Sequence, residues 1–335
     1  MLSAGCHELN SALTSGKFSV RPARSGSKRL PSMTQSPVPP SISSGDSQRM
    51  SIAPGVELAY IDQGAGQTIV FIPHWTFTKE AFEHQIDLFS TNYRVIAYDP
   101  RSQGESSFTL EGNDYLTHAY DLSALLEALN VHHPVLIGWG TGAFAAWGFI
   151  TLNGPASVAA NIVIDMPPKP LSTTPGTWRE GSLESLSAIH TLFLRDARGQ
   201  ASFVRRCLET DMVQRCLAAE ELSHFLERSL RTNPVVAAQL FASAMFADQT
   251  HSAIAVAHER PTLFIVAQSA SHAAVSFLTH ILPESKYVVF GGRMMFWEHS
   301  GAFNHVVLEF LQSNVPAARS LPGKTAVPEI VYTRL

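Results

Sequence analysis

The chain has 335 residues, 45% of them hydrophobic and 16% charged, with a formal net charge of -4. This composition excludes a wholly disordered protein, and the lack of a basic stripe argues against nucleic acid as a partner. No uninterrupted apolar run approaches the roughly 18 residues that a membrane helix needs, so one large soluble globular domain with an inserted subdomain is expected, and no membrane partner.

Residues 1–50 are rich in Ser, Pro and Gly, with Lys17, Arg21, Arg24, Lys28, Arg29 and Arg49 against only Glu8 and Asp46. They are expected to form a disordered tail. Arg/Ser-rich, acid-poor composition over residues 1–32 also fits a mitochondrial transit peptide, although residues 31–40 carry no amphipathic pattern. A cytoplasmic location is the simpler expectation.

Periodicity begins at Ile52. Strands are expected at 56–61 and 68–72, separated by a Gly-containing turn, and the second ends at Pro73-His74-Trp75. Apolar residues at helical spacing follow over 80–89, then a strand over 93–98 ended by Asp99-Pro100. A helix over 115–129 carries a stripe of Leu122, Leu125, Leu126 and Leu129. A short buried strand, Val135-Leu136-Ile137, then enters the turn Gly138-Trp139-Gly140-Thr141-Gly142 and leaves into a helix of small residues. Another buried strand over 161–164 ends at Asp165. Strands alternating with helices predict an α/β fold, a mostly parallel central sheet with helices on both faces.

Residues 167–177 are rich in Pro, Ser and Thr, and 183–245 read as helices without strands. Strands resume at 262–266 and 286–290, and a last helix is expected over 302–311. The expected organisation is a core of residues 51–166 and 258–312, a helical cap of 167–257, and a tail of 313–335. The three cysteines, Cys6, Cys207 and Cys216, are too few for a disulfide framework. No Cys/His spacing suggests zinc, and no metal or cofactor is expected.

Residues 52–312 resemble the α/β-hydrolase superfamily, especially its small esterase, haloperoxidase-like and cofactor-free dioxygenase branches. The resemblance rests on five marks in order: Phe71-Ile72-Pro73-His74-Trp75 at the oxyanion loop; Tyr98-Asp99-Pro100-Arg101-Ser102-Gln103-Gly104-Glu105-Ser106 at the D-x-R-G-x-G-x-S loop; the turn at 138–142 at the G-x-S-x-G elbow; Val163-Ile164-Asp165; and Gly291-Gly292-Arg293 at the G-G-H position. The resemblance implies an α/β-hydrolase fold with an inserted helical cap.

It also implies a Ser–His–carboxylate triad, from which this chain departs. The Ser position holds Gly140, which has no side chain. The His position holds Arg293, whose guanidinium stays protonated and cannot act as a base. Residues 267–271, the common acid position, contain no carboxylate, which leaves Asp165 at the alternative one. His74 replaces a family Gly and is the histidine expected beside the reaction site. His299, His305 and His118 are expected to lie on the surface or within helices. The backbone N–H groups of Trp75 and Thr141 are expected to form an oxyanion hole that side-chain changes leave intact. Trp139, Phe77 and Trp297 are expected either to line the pocket or to pack in the core.

Two readings follow for a small, largely apolar organic ligand or substrate. One is non-hydrolytic catalysis of lyase, isomerase, cyclase or oxygenase type, with His74 and Asp165 as catalytic groups. The other is an inactive pseudohydrolase that binds a ligand or partner. Ordinary ester hydrolysis is the weakest reading, and on this pattern Gly140→Ser with Arg293→His is expected to restore it.

Overall fold

A computed structural model of the chain describes residues 47–174, 176–195 and 197–315. Eight strands form one sheet: β1 (Gln48–Ala53), β2 (Val56–Gln63), β3 (Thr68–Ile72), β4 (Arg94–Tyr98), β5 (Val135–Trp139), β6 (Ala160–Ile164), β7 (Thr262–Val266) and β8 (Lys286–Val289). Their spatial order is β1-β2-β4-β3-β5-β6-β7-β8. Pairing is antiparallel at β1–β2 and β2–β4 and parallel from there on. Every residue of β3, β5, β6 and β7 is buried. This is why these segments read as unbroken apolar runs: in a parallel sheet both faces are covered.

Helices α1 (Glu83–Phe89), α2 (Tyr115–Ala128) and α3 (Gly142–Asn153) follow β3, β4 and β5. Between β6 and β7 lie α4 (Leu183–Arg195), α5 (Ala197–Thr210), α6 (Ala219–Ser229), α7 (Pro234–Met245) and α8 (Thr250–Glu259). Helix α9 (Ser271–Ile281) precedes β8, and α10 (Met295–Glu298) and α11 (Ser300–Asn314) follow it. Two packing groups result. Helix α3 packs on both α2 and α8, and α1, α10 and α11 pack on one another. None of these helices is long and apolar enough to cross a membrane.

The chain passes from β3 outward to β4 and then returns to β5 on the other side of β3. This reversal opens a crevice at the carboxyl ends of β3 and β5, the place where open α/β sheets receive ligands. Register fixes what meets there. Ile72 pairs with Gly138, so His74 and Gly140, each two residues further on, emerge side by side.

The sequence boundaries need two corrections. The tail expected over 1–50 lies mostly outside the described residues, but Gln48, Arg49 and Met50 belong to β1, where Gln48 pairs with Tyr60 and Arg49 with Ala59. The proposed transit segment lies wholly outside the described residues. The tail expected from residue 313 begins later, because Ser313 and Asn314 complete α11, and residues 316–335 lie outside the described residues.

Candidate active site

The turn between β5 and α3 has Gly140 at its tip, with φ of +51°. L-residues rarely adopt this conformation, and nucleophile elbows hold a residue in such strain. Gly142 is required for a different reason: a Cβ there would lie 2.4 Å from the carbonyl oxygen of Ile72, so its absence lets α3 start hard against the end of β3.

Gly140 does not leave an empty space. A Cβ built on it would fall 2.3 Å from His74 Nδ1 and 2.8 Å from His74 Cγ. The imidazole of His74 therefore occupies the volume that a side chain at 140 would enter. His74 Nδ1 accepts a hydrogen bond from the Thr141 backbone N–H at 2.9 Å. The Trp75 backbone N–H donates to Thr141 Oγ1 at 2.8 Å, and Tyr115 donates its hydroxyl to the same oxygen. Both expected oxyanion donors are thus brought together, but each is already taken by a side chain of this chain. This corrects the expectation of an intact, open oxyanion hole. The reason is that the family Gly at position 74 has no side chain to fill it, whereas imidazole brings an acceptor within reach of the Thr141 N–H.

An acceptor Nδ1 must be unprotonated, so the neutral ring of His74 carries its proton on Nε2. Burial, helped by the positive charge of Arg293, pushes the His74 pKa down to about 3. The ring is held between Phe77, stacked at 5.9 Å, and Trp139 at 5.2 Å.

Asp165 ends β6 in the left-handed region, with φ of +48°, and is 2% exposed. Its Oδ1 accepts from the Ala267 N–H at 2.9 Å, and its Oδ2 accepts from Arg293 Nε at 2.6 Å. A second carboxylate, Glu180 from the segment before α4, accepts from Nη2 of the same guanidinium. These two carboxylates hold the pKa of Arg293 well above its ordinary value despite burial. Arg293 is therefore an electrostatic tie between the sheet and the helical insert. Glu180 carried no sequence signal, since its partner lies 113 residues away.

A cavity of about 220 Å³ lies between the strand ends and the insert, with His74, Trp75, Phe77, Thr141 and Arg293 on its wall. Leu186, Phe203, Phe241 and Met245 face them from the insert. Trp75 anchors that side: its Nε1 donates to the Ala237 carbonyl at 2.7 Å, and its ring stacks on Phe193 at 4.9 Å. Two residues expected in the pocket lie elsewhere. Trp139 is 1% exposed and sits in the core among Phe77, Phe82 and Phe296. Trp297 packs on His84 and Phe225 and donates to Glu221, because α10 turns its ring toward α6. His299 is exposed, as expected, but His118 is not. It is 1% exposed, and neither ring nitrogen finds a partner among the described residues.

Below the oxyanion loop, Lys79 is 1% exposed and its ammonium bonds Asp99, Glu105 and Glu80, each at 2.9 Å. Among the described residues, these three carboxylates come nearest to a metal-binding group, and the Lys79 ammonium already sits among them. The loop 99–106 is thereby pinned to the segment that carries His74.

The chain belongs to the alpha/beta hydrolase fold family, whose model matches residues 67–300. A non-heme chloroperoxidase of Streptomyces lividans is 33% identical over 117 residues, 34% of this chain and 42% of that protein. The chain thus spans less than half the length of that relative. A 2-hydroxy-6-oxononadienedioate/2-hydroxy-6-oxononatrienedioate hydrolase of Paraburkholderia phymatum is 25% identical over 280 residues, 77% of this chain and 92% of that protein. The crystal structure of bromoperoxidase from Bacillus anthracis superposes with a TM-score of 0.70 at 22% identity, covering 79% of this chain and 99% of that one.

Proposed function

We propose that this chain is a pseudohydrolase that has kept the ligand cavity of its family and given up the hydrolytic chemistry. One observation carries the reading: the His74 ring fills the side-chain space of Gly140 and takes the Thr141 N–H. Acyl transfer needs a nucleophile, a base near neutral pH and free donors for the oxyanion. Gly140 supplies no nucleophile, and Arg293, bound by two carboxylates, supplies no base. With a pKa near 3, His74 is a poor base at neutral pH, and the donors at 75 and 141 are engaged. The cavity remains, bounded by aromatic and aliphatic side chains, as expected of a small-molecule site.

The reading is tested with p-nitrophenyl esters and a fluorophosphonate probe on the full chain. The expected result is no turnover above a boiled control and no covalent label. Stoichiometric labelling within 138–142, or robust turnover, would overturn it. Non-hydrolytic catalysis is the second reading, favoured by the approach of His74 and Arg293 to the same cavity. It would show as chemical conversion of a bound ligand that is lost on His74→Phe.

A further inference from the structure

Resting on the pseudohydrolase reading, we infer that the cavity takes a neutral, planar, aromatic carbonyl compound, with the carbonyl oxygen on His74 Nε2–H and the ring against the aromatic lining.

The hydrogen-bonding end follows from the tautomer. Nδ1 is committed to Thr141 N–H, which leaves Nε2–H as the donor of the ring. Nε2 has no partner among the described residues and is not among the atoms sealed from solvent, while His74 lines the cavity. A ligand acceptor can take the place of solvent at this donor, and a ligand that covers the donor without supplying one leaves it unpaired at a cost. The ring cannot offer a second acceptor, because its one lone-pair nitrogen is in use. A ligand carbonyl oxygen matches this donor with no proton of its own to place, whereas a ligand hydroxyl that accepts here must still find an acceptor for its O–H, which the ring does not offer.

The charge of the ligand follows from the ion pairs. The cavity wall carries Arg293 and Arg206 against Glu180 and Asp211, formally neutral. Asp165 stands behind Arg293 and brings the formal balance to -1. Arg293, the cation next to His74, is therefore already outnumbered by carboxylates, and a ligand carboxylate would add a third. An anion is disfavoured on this ground.

The shape follows from the walls. Trp75 and Phe77 on the sheet side and Phe203 and Phe241 on the insert side line the same space, and Trp75 meets Phe203 and Phe241 edge-on, each at 5.9 Å. Aromatic guests pack on such surfaces with specific offset or edge geometry. A dry cavity of about 150 Å³ holds benzene, so a two-ring molecule suits this larger one.

The test compares 2-acetylnaphthalene, 2-ethylnaphthalene and 2-naphthoate on the full chain by calorimetry and thermal shift. The acetyl compound is expected to bind about five- to tenfold more tightly than the ethyl compound, the equivalent of one hydrogen bond of about 1 kcal/mol. 2-Naphthoate is expected to bind more weakly than both. His74→Phe should erase the preference for acetyl over ethyl while keeping hydrocarbon binding, and Leu186→Trp should reduce binding of both by filling the cavity. Equal affinity for the acetyl and ethyl compounds, preference for the naphthoate, or no binding by any of them overturns the inference, whether or not His74→Phe folds. Hydrolysis of 2-naphthyl acetate, followed by 2-naphthol fluorescence in the same samples, overturns the pseudohydrolase reading instead.

Discussion

Replacing Gly140 by Ser gives this chain the nucleophile of its family and should badly destabilise it. Two costs add. A non-glycine residue held at φ of +51° costs about 1 kcal/mol or more. The new Cβ also lands 2.3 Å from His74 Nδ1, so the ring has to leave. When it leaves, the buried Thr141 N–H loses its acceptor, a penalty of about 1–3 kcal/mol. The sum of about 2–4 kcal/mol is a large part of the 5–15 kcal/mol typical of a folded domain. His74→Gly alone gives up the ring contacts with Phe77 and Trp139 and should cost about 2–4 kcal/mol as a large-to-small change. In the double variant the serine occupies vacated space, so the clash term vanishes. Urea unfolding of the four proteins closes the cycle, with an expected coupling of about 1–3 kcal/mol in favour of the double variant. Additivity to within about 0.5 kcal/mol would refute the claim that the two positions share one volume.

The same geometry corrects the repair that sequence suggests. Gly140→Ser with Arg293→His leaves His74 across the Thr141 N–H, so it should not restore esterase activity. His74→Gly/Gly140→Ser/Arg293→His frees that donor and lets the new imidazole pair with Asp165. Fluorophosphonate labelling at position 140 is expected in this triple variant and in none of the single or double ones.

Arg293→Met should cost about 3–5 kcal/mol, because it strands the buried carboxylate of Asp165 without a cation. Adding Asp165→Asn should recover part of the loss in thermal melts, since Asn tolerates the left-handed backbone there, and no recovery would refute the role of charge. Stability should fall as pH drops below the ordinary histidine value of 6.5. Burial, and then Arg101, hold His118 down at about 4, so below pH 6.5 the unfolded chain takes up a proton that the folded chain refuses. This contribution, up to about 3 kcal/mol, is present above pH 6.5 and lost as pH falls through 4. His118→Phe should flatten urea midpoints between pH 7 and pH 4.5, and an unchanged slope would refute it. A chain begun at Ser47 should melt like the full chain, whereas one begun at Pro54 loses β1 and its ladder to β2 and should melt lower. Equal melting of the two would refute a stabilising role for β1.

The central strands were legible because they are buried on both faces. β3 and β7 read as four apolar residues after a threonine, and β5 as Val135-Leu136-Ile137 running into the glycine turn. β1 was missed for the opposite reason. Gln48-Arg49-Met50-Ser51-Ile52-Ala53 is a half-exposed edge strand whose apolar residues are too few to stand out from the polar segment before it. His118 was misjudged by its polar ring alone: it stands one turn before Leu122, on the same face as the leucine stripe, and that face is buried. Glu180 and Tyr115 were invisible as site residues, since each acts only through a partner far along the chain, Arg293 and Thr141.

The pairing of positions 74 and 140 was readable, because register carries both residues to the same crevice. What sequence could not supply was the direction of the imidazole. Turned outward, it would leave an open oxyanion hole and a pocket ready for proton transfer. Turned inward, as it is, it closes a chain of hydrogen bonds running from the Tyr115 hydroxyl to Thr141 Oγ1, and from the Thr141 N–H to His74 Nδ1. Both backbone donors, Trp75 N–H and Thr141 N–H, have acceptors without substrate, while His74 Nε2–H faces the cavity. A hydrolase keeps its oxyanion donors unsatisfied so that the transition state can claim them. Here His74 has taken the Thr141 N–H and Thr141 Oγ1 the Trp75 N–H, and Gly140 is the residue that makes room for the imidazole.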